Sequence, residues 1–304
     1  MTKEKPKNVA ASVRQRLQNI ARQRKEDFQL VLSRYAVERL LYRISQSPHR
    51  DRFVVKGAML FHLWTDQIYR PTRDIDFLAY GDHSLQHLEN VFREVCSQTV
   101  EDDGLAFQAE SVAGTIIKPD QKYQGVRIHL DVKLERARIP VQIDIGFGDA
   151  ITPGPQQVEY PSMLGFPTPI VSTYPRETVV AEKFQAMVML GMANSRMKDF
   201  FDLWLLSASF EFDGEVLARA IRATFERRRT PFSDAIPIAL TADFHNDESK
   251  QKQWKAFISR AGLVASPPLP DLIASLREFV LPPVDALRAS NPFPQRWTPP
   301  GPWR

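Results

Sequence analysis

The sequence predicts an α/β (α+β) protein built around a small mixed sheet, with helices before the sheet and a helical lobe after it. Apolar residues follow a helical spacing over 9–47 and again after Pro175. Short apolar, alternating or β-branched runs, which are typical of strands, lie between these regions. We therefore expect four parts: N-terminal helices over 1–47, a core over 48–172, a helical domain over 173–265 and a proline-rich tail over 266–304.

The individual elements follow from local patterns. Two helices precede the sheet, the first capped by Ser12 and the second ended by Ser47-Pro48. The core elements are an apolar run at 53–55, a helical stretch at 59–64, an alternating run at 73–80, a helix at 83–96, and strands at 125–134 and 140–147. Later helices are expected at 177–192, 198–207 and 216–228. Ten prolines among the last 38 residues favour an extended or loosely packed tail, although Trp297 and Trp303 could dock onto the body.

Composition excludes several classes of protein. Cys96 is the single cysteine in 304 residues, which rules out a disulfide framework and any multi-cysteine zinc or iron–sulfur site. We interpret it as a buried structural thiol. The longest uncharged apolar run, Ala186–Ala193, is too short to span a bilayer. The N-terminal lysines are not followed by the apolar segment of a secretory signal, so we expect a soluble cytoplasmic protein.

Positive charge is unevenly distributed along the chain, whose net charge is +4. One basic cluster occupies the first 25 residues, and a second consists of Arg219, Arg222, Arg227, Arg228 and Arg229. Such clusters suit the phosphate backbone of a nucleic acid. A solvated helix face is the alternative interpretation of either cluster.

The strongest local signal is a pair of acidic residues inside the segment Thr72–Phe77. In a strand, residues two apart project to the same side, so Asp74 and Asp76 project together while Ile75 and Phe77 enter the core. Two adjacent carboxylates are tolerable when a cation lies between them, and Mg²⁺ prefers one or two carboxylates plus waters and substrate phosphates. The alternative is a half-exposed edge strand with solvated acids.

A third carboxylate lies on a later strand. One face of that strand is apolar and the opposite face carries Asp144 between Gln142 and Gly146. If this strand neighbours the one with the acidic pair, Asp144 completes a three-carboxylate cluster that can hold one or two metals and polarise an attacking hydroxyl. The alternative is a polar residue on a solvent-facing surface.

A turn with the sequence Lys56-Gly57-Ala58 follows the apolar run at 53–55. A glycine at this position would let the backbone approach a phosphate closely, and the free N–H groups at the start of a helix bind anions. The turn is therefore a candidate for binding a nucleotide. A plain connection between a strand and a helix is the alternative.

Two helical motifs carry further charges. Lys183 lies among apolar residues, where its ammonium could snorkel to solvent or reach a triphosphate as a point charge. Arg196, Asp199 and Asp202 are spaced i, i+3 and i+6, so they would share one helix face. A ladder of ion pairs within that helix is the alternative interpretation of these three residues.

The order of these motifs resembles that of the AbiEii/AbiGii toxin nucleotidyltransferases, which belong to the polymerase-beta-like nucleotidyltransferase superfamily. The shared motifs are the Lys-Gly-small turn, Thr-Arg-Asp-Ile-Asp-Phe, a strand acid, Glu-Lys-Phe at 182–184 and Arg-x-Lys-Asp-x-x-Asp-Leu at 196–203. The resemblance covers about residues 12–206 and implies a nucleotidyltransferase core followed by a helical lobe. The turn departs from the family, which commonly has Lys-Gly-Gly-Thr or Gly-Ser where this chain has Lys-Gly-Ala-Met.

The resemblance implies roles for individual residues. The glycine turn would hold the triphosphate, the Thr-Arg-Asp-Ile-Asp segment would hold the metal, and a helical lysine and acid would be needed for toxicity. Together with the residue patterns above, the predicted site has three groups: catalytic Asp74, Asp76, Asp144, Lys183 and Asp199; metal-binding Asp74, Asp76 and Asp144; and nucleotide-binding Lys56, Gly57, Ala58, Thr72, Arg73, Lys183 and Arg196.

The resemblance also implies the substrate, the cofactor and the partners. The expected activity is transfer of NMP from an NTP to an RNA, with a tRNA 3′ end as the target and Mg²⁺ or Mn²⁺ as the cofactor. The protein would act as the toxin of a toxin–antitoxin or abortive-infection system in phage defence. A membrane is not expected among its partners. Its partner would be a separately encoded antitoxin with a winged-helix DNA-binding part. Two alternatives stay open: nucleotidylation of a protein, and an inactive fold that binds RNA or a partner protein.

Overall fold

The computed structural model describes residues 8–65, 74–117, 125–263 and 266–304. The chain divides into two compact units. The first contains the described residues up to Gly148 together with Gln156–Thr173, and the second contains Asp149–Pro155 and Tyr174–Arg304. Two of the predicted nucleotide-binding residues, Thr72 and Arg73, lie outside the described residues.

Two helices open the first unit, α1 (Val9–Arg24) and α2 (Phe28–Gln46). The predicted cap of α1 was wrong: Asn8, not Ser12, occupies that position, and its side-chain oxygen accepts a hydrogen bond from the Ala11 amide at 3.0 Å. Asparagine is as good a cap as serine, and here it precedes the first helical residue. The prediction that α2 ends at Ser47 is confirmed.

The first unit is centred on a mixed sheet whose described part has seven strands. Their order across the sheet is β3-β4-β5-β2-β1-β7-β6, with β2 parallel to β5, β1 parallel to β7 and the other pairs antiparallel. The strands are β1 (Phe53–Lys56), β2 (Asp74–Ala79), β3 (Ala106–Ile117), β4 (Gly125–Leu134), β5 (Ala137–Phe147), β6 (Gln156–Glu159) and β7 (Ile170–Thr173). The connecting helices are α3 (Leu60–Trp64) and α4 (Leu85–Cys96). The α/β fold class is thus confirmed.

The predicted alternation along β2 determines which of its residues enter the core. Ile75 and Phe77 are buried, whereas Asp74 is exposed and Asp76 is half-buried. Helices α2 and α4 contact the sheet and each other, and Phe53 of β1 packs against Phe92 of α4 with ring centroids 5.5 Å apart. Burial of these apolar side chains therefore fixes which way the acidic residues point.

The second unit is mainly helical, as predicted. Its helices are α5 (Arg176–Leu190), α6 (Met197–Ser209), α7 (Gly214–Arg227), α8 (Ala242–Asn246), α9 (Glu248–Ala261) and α10 (Leu269–Arg288). A two-stranded sheet pairs β8 (Phe212–Asp213) with β9 (Arg296–Trp297). None of the helices in the described ranges combines the length and the hydropathy that a membrane-spanning helix needs.

The prediction of a loosely packed tail was wrong. Residues 269–288 form the 20-residue helix α10, which has proline in its first turn and tolerates Pro282 and Pro283 in its interior. Its apolar face is buried, and this burial outweighs the cost of the interior prolines. The expected docking of Trp297 and Trp303 is confirmed, because both are buried and donate hydrogen bonds to the backbone oxygens of Ser207 and Phe279 at 2.6 and 2.9 Å.

Candidate active site

Charged residues form a row across four neighbouring strands of the first unit. Asp76 on β2 lies opposite Lys56 on β1 and opposite Asp144 on β5, and Asp144 in turn lies opposite Arg127 on β4. Residues directly opposite one another in a ladder project to the same face of the sheet. Asp74, two residues before Asp76, projects to that face as well. The sheet register therefore brings both acidic motifs together, as the sequence predicted.

Gly57 places the backbone of the predicted turn against the Asp76 carboxyl group. It follows β1 directly and begins a short 3-10 turn over Gly57–Met59. Its φ of +74° lies in the left-handed region, and a Cβ atom at this position would come within 2.9 Å of Asp76 Cγ. A glycine is thus required here both for the backbone angle and for the space. Ala58, the next residue, is half-buried in the same turn.

Arg127 binds Asp144 through two parallel hydrogen bonds. Its Nε donates to Asp144 Oδ1 and its Nη2 donates to Asp144 Oδ2, each at 2.7 Å. In the amide orientation that satisfies both of its side-chain atoms, Gln142 also accepts from Arg127 at 3.3 Å. The hydrogen bond with Asp144 is the main reason why the pKa of Arg127 is raised, and the negative charges of Asp144, Asp74 and Asp76 raise it further. All three carboxylates therefore lie within electrostatic reach of one guanidinium.

The predicted three-carboxylate metal cluster is not formed. Among the described residues, no group of three or more His, Cys, Asp and Glu side chains is arranged to hold a metal ion. The physical reason is that Arg127 engages both oxygens of Asp144. The donor set of Asp74 and Asp76 still suits Mg²⁺, because two carboxylates on one strand face leave room for waters and substrate phosphates.

A second charged cluster lies in the helical unit. Lys183 on α5 contacts Asp199 Oδ1 at 2.7 Å and Asp202 Oδ2 at 2.9 Å, both on α6. The three side chains are 13%, 8% and 2% exposed, so Lys183 does not snorkel to solvent. Arg196 is exposed at the position before α6, and the ion pairs of Asp199 and Asp202 run to α5. The alternative of an ion-pair ladder within one helix was therefore wrong.

Arg228 belongs to a third cluster inside the second unit. It contacts Asp149 at 3.1 Å and Glu182 at 3.2 Å, and it donates a hydrogen bond to Gln185 at 3.0 Å. Burial acts to lower the pKa of Arg228, but the carboxylates of Glu182 and Asp149 outweigh it and the net shift is upward. Burial, followed by the charge of Glu182, also raises the pKa of Tyr174 above its usual range. Arg228 thus has internal partners, while the other arginines of its predicted basic cluster are exposed: Arg219, Arg222, Arg227 and Arg229.

The structure thus groups the predicted residues into two sets. The set in the first unit consists of Lys56, Gly57, Asp74, Asp76 and Asp144. The set in the second unit is the ion pair of Lys183 with Asp199. Sequence reasoning missed Arg127, and it named Asp202 in the helical motif without assigning it to the site. Arg127 could have been found from the alternation along β4, which places Arg127, His129 and Asp131 on its polar face.

Acidic residues that alternate with core residues on a strand, next to a glycine turn, form a candidate active site of the nucleotidyltransferase class. Comparison with known proteins assigns the chain to a family. The family model described as "Nucleotidyl transferase AbiEii toxin, Type IV TA system" matches residues 39–287, so the chain belongs to this family. The suspected resemblance is therefore confirmed. The protein is a nucleotidyltransferase of a toxin–antitoxin family, which implies an NTP substrate and an antitoxin partner.

Two crystal structures from Helicobacter pylori share the fold. JHP933 is 14% identical, with a TM-score of 0.50 over 87% of this chain and 98% of its own. A structure described as a candidate nucleotidyltransferase has the same identity and TM-score and covers 88% of this chain and 100% of its own. At this identity the likeness extends to the fold alone. A search among curated proteins gave no match.

Proposed function

We propose that this enzyme transfers NMP from an NTP to the 3′ end of an RNA, specifically a tRNA, in a Mg²⁺-dependent reaction. It would act as the toxin of a toxin–antitoxin or abortive-infection system, and a separately encoded antitoxin with a winged-helix DNA-binding part would be its partner. The observation that carries the proposal is the shared face of Asp74 and Asp76, which lies beside the Gly57 turn and in one row with Lys56.

Each residue of the row has a task in this proposal. Asp74 and Asp76 would hold the metal ion, which would supply positive charge to neutralise the triphosphate. The backbone of the Gly57 turn lies close to the phosphates because no Cβ atom separates them. Lys56 supplies a point charge at the end of β1. Most of the rate enhancement would come from positioning and from fixed charges.

The chemical step is an in-line displacement at the α-phosphorus. The oxygen of the acceptor hydroxyl forms a new bond to that phosphorus, and the bond from phosphorus to the oxygen bridging the α- and β-phosphates breaks. Pyrophosphate leaves with the bonding electron pair, and the hydroxyl proton passes to solvent water. The products are RNA extended by one nucleotide and pyrophosphate.

Residues outside the row complete the proposal. Lys183 would neutralise phosphate charge, and its ammonium is held in place by Asp199 and Asp202. The RNA would be guided by exposed arginines of the two basic clusters, which include Arg22, Arg24, Arg227 and Arg229. Such contacts bind phosphates without sequence preference, so RNA binding is expected to weaken with rising salt concentration.

Incubation of the purified chain with each labelled NTP, Mg²⁺ and total RNA tests the proposal. Labelled tRNA supports it, labelled protein would redirect the same chemistry to a protein acceptor, and absence of label with retained RNA binding would indicate an inactive fold. Asp74→Ala and Asp76→Ala should each abolish transfer while leaving the fold intact. Asp51→Ala is the matched control, because Asp51 is 80% exposed and pairs only loosely with Arg50 at 3.5 Å. NMP incorporation retained by both active-site variants would refute the metal role.

A further inference from the structure

We propose that Arg127 takes the place of a second metal ion in this active site. One divalent cation would bind at Asp74 and Asp76, and Asp144 would anchor the guanidinium of Arg127 in place of ligating a metal. The inference rests on the proposed function, since it concerns how the same site stabilises the transferred phosphate. It changes the role of two residues and makes the metal stoichiometry of the enzyme measurable.

The geometry of the Asp144–Arg127 pair carries the first step. Both carboxylate oxygens accept a hydrogen bond from the guanidinium at 2.7 Å, which is the strongest arrangement available to this pair. A Mg²⁺ ion bound to either oxygen, at about 2.1 Å, would lie within a few ångströms of the guanidinium. The two positive charges would repel one another across that distance. Metal binding at Asp144 would therefore require the pair to break.

The position of Arg127 in the charged row carries the second step. Arg127 pairs with Asp144 on β5, and Asp144 pairs with Asp76 on β2. Arg127 therefore lies at one end of the charged row, and Lys56 lies at the other end. The negative charges of Asp74 and Asp76 both act on Arg127. Arginine stays protonated at any physiological pH. The positive charge that a second cation would bring to this end of the row is thus already present and permanent.

The free donors of Arg127 carry the third step. Its Nε and Nη2 atoms are used by Asp144, while Nη1 has no acceptor among the residues that the structure describes. The side chain is 36% exposed, so a ligand can reach it. Donors that are fixed before the reaction stabilise charge that develops in the transition state at little reorganisation cost. The guanidinium is therefore suited to a phosphate oxygen or to the attacking oxygen of the acceptor.

Binding of Mn²⁺ to the full chain, followed by electron paramagnetic resonance, tests the metal stoichiometry. The titration includes a non-hydrolysable NTP analogue, and the analogue alone serves as the blank. We expect one Mn²⁺ per chain, at least tenfold weaker binding in Asp76→Asn, and binding within about threefold of wild type in Asp144→Asn. Two Mn²⁺ ions per chain in the wild type, one of which is lost in Asp144→Asn, would overturn the inference.

The second arm asks whether Arg127 contributes its own charge. Arg127→Gln should lower kcat by about 100-fold, the typical effect of removing a fixed donor at the reacting centre. Arg127→Lys should recover part of that loss because it restores the charge. Arg138→Gln is the matched control: it removes another arginine–aspartate pair between β4 and β5, formed with Asp131 at 2.8 Å. Its kcat should stay within about twofold of wild type.

The outcomes separate the two proposals. Suppose that the wild-type chain transfers NMP. Two bound Mn²⁺ ions in the wild type, or a wild-type kcat in Arg127→Gln, would then overturn the role of Arg127 and leave the proposed function standing. Absence of transfer by the wild-type chain with every NTP and acceptor would overturn both.

Discussion

Substitution of Gly57 by alanine tests the placement of the turn against the acidic pair. The chain offers a closely matched control, because Gly57 and Gly165 both have φ of +74°. An added Cβ at Gly57 meets Asp76, with the Cγ atom at 2.9 Å, whereas an added Cβ at Gly165 has nothing within 4 Å. The two alanine variants therefore share the backbone strain and differ only in the contact with the carboxylate.

The magnitudes follow from these distances. Each variant should lose about 1–2 kcal/mol of unfolding free energy, which is the cost of a left-handed conformation for a residue with a Cβ atom. Only Gly57→Ala must also displace the Asp76 carboxyl group, because 2.9 Å is shorter than any ordinary contact to a Cβ. A misplacement approaching an ångström in an active site costs about 100-fold in rate. We therefore expect kcat/KM to fall by about that factor in Gly57→Ala and by less than about twofold in Gly165→Ala.

The assay combines urea unfolding of both variants with initial rates of NMP transfer at a fixed Mg²⁺ concentration. Mn²⁺ binding adds a readout that does not depend on turnover, since a displaced Asp76 should bind the ion more weakly. Equal activity in the two variants would refute the reasoning, because the turn would then not support the carboxylate that the reaction uses.

Two further predictions concern buried groups. Lys183→Met removes the ammonium that pairs with the buried Asp199 and Asp202, and it should lower the unfolding free energy by about 3–5 kcal/mol in a urea titration. The triple variant that also carries Asp199→Asn and Asp202→Asn should regain most of this loss. A loss below about 1 kcal/mol in the single variant would contradict the burial argument. Burial raises the pKa of the Cys96 thiol from 9.0 to about 12, so the native chain should resist iodoacetamide at pH 8.5 and react in urea. The stability that this thiol contributes is present below the unfolded pKa and is lost as the pH rises from there towards about 12; rapid alkylation of the native chain would contradict the prediction.

Elements with a clear local pattern were the ones that the sequence predicted well. The alternation over Asp74–Ala79 and the β-branched run over Gly125–Leu134 match β2 and β4. Strand β3 was not predicted, because a register shift between Gln108 and Ala113 interrupts its alternation. The tail was misjudged because proline content describes local preference, whereas the burial of Leu276 and Phe279 on α10 is a tertiary effect.

The candidate site could be predicted only as far as its pieces are local. The acidic pair of Asp74 and Asp76 and the glycine turn could be predicted, because strand alternation and glycine geometry act over a few residues. The partnership of Asp144 with Arg127 depends on which strands are neighbours, and the order β4-β5-β2-β1 is not encoded in any short segment. The same holds for Asp202, whose partner Lys183 comes from a different helix.

The alternation along β2 has a consequence for how such a protein can evolve. Catalysis would depend on one side of a strand of 6 residues and folding on the other, so selection for the two properties acts on separate positions. A single base change from aspartate to asparagine at position 74 or 76 would silence the enzyme and leave Ile75 and Phe77 untouched. A lineage that no longer needs the toxin activity can therefore keep the fold and any binding function of the outer surfaces.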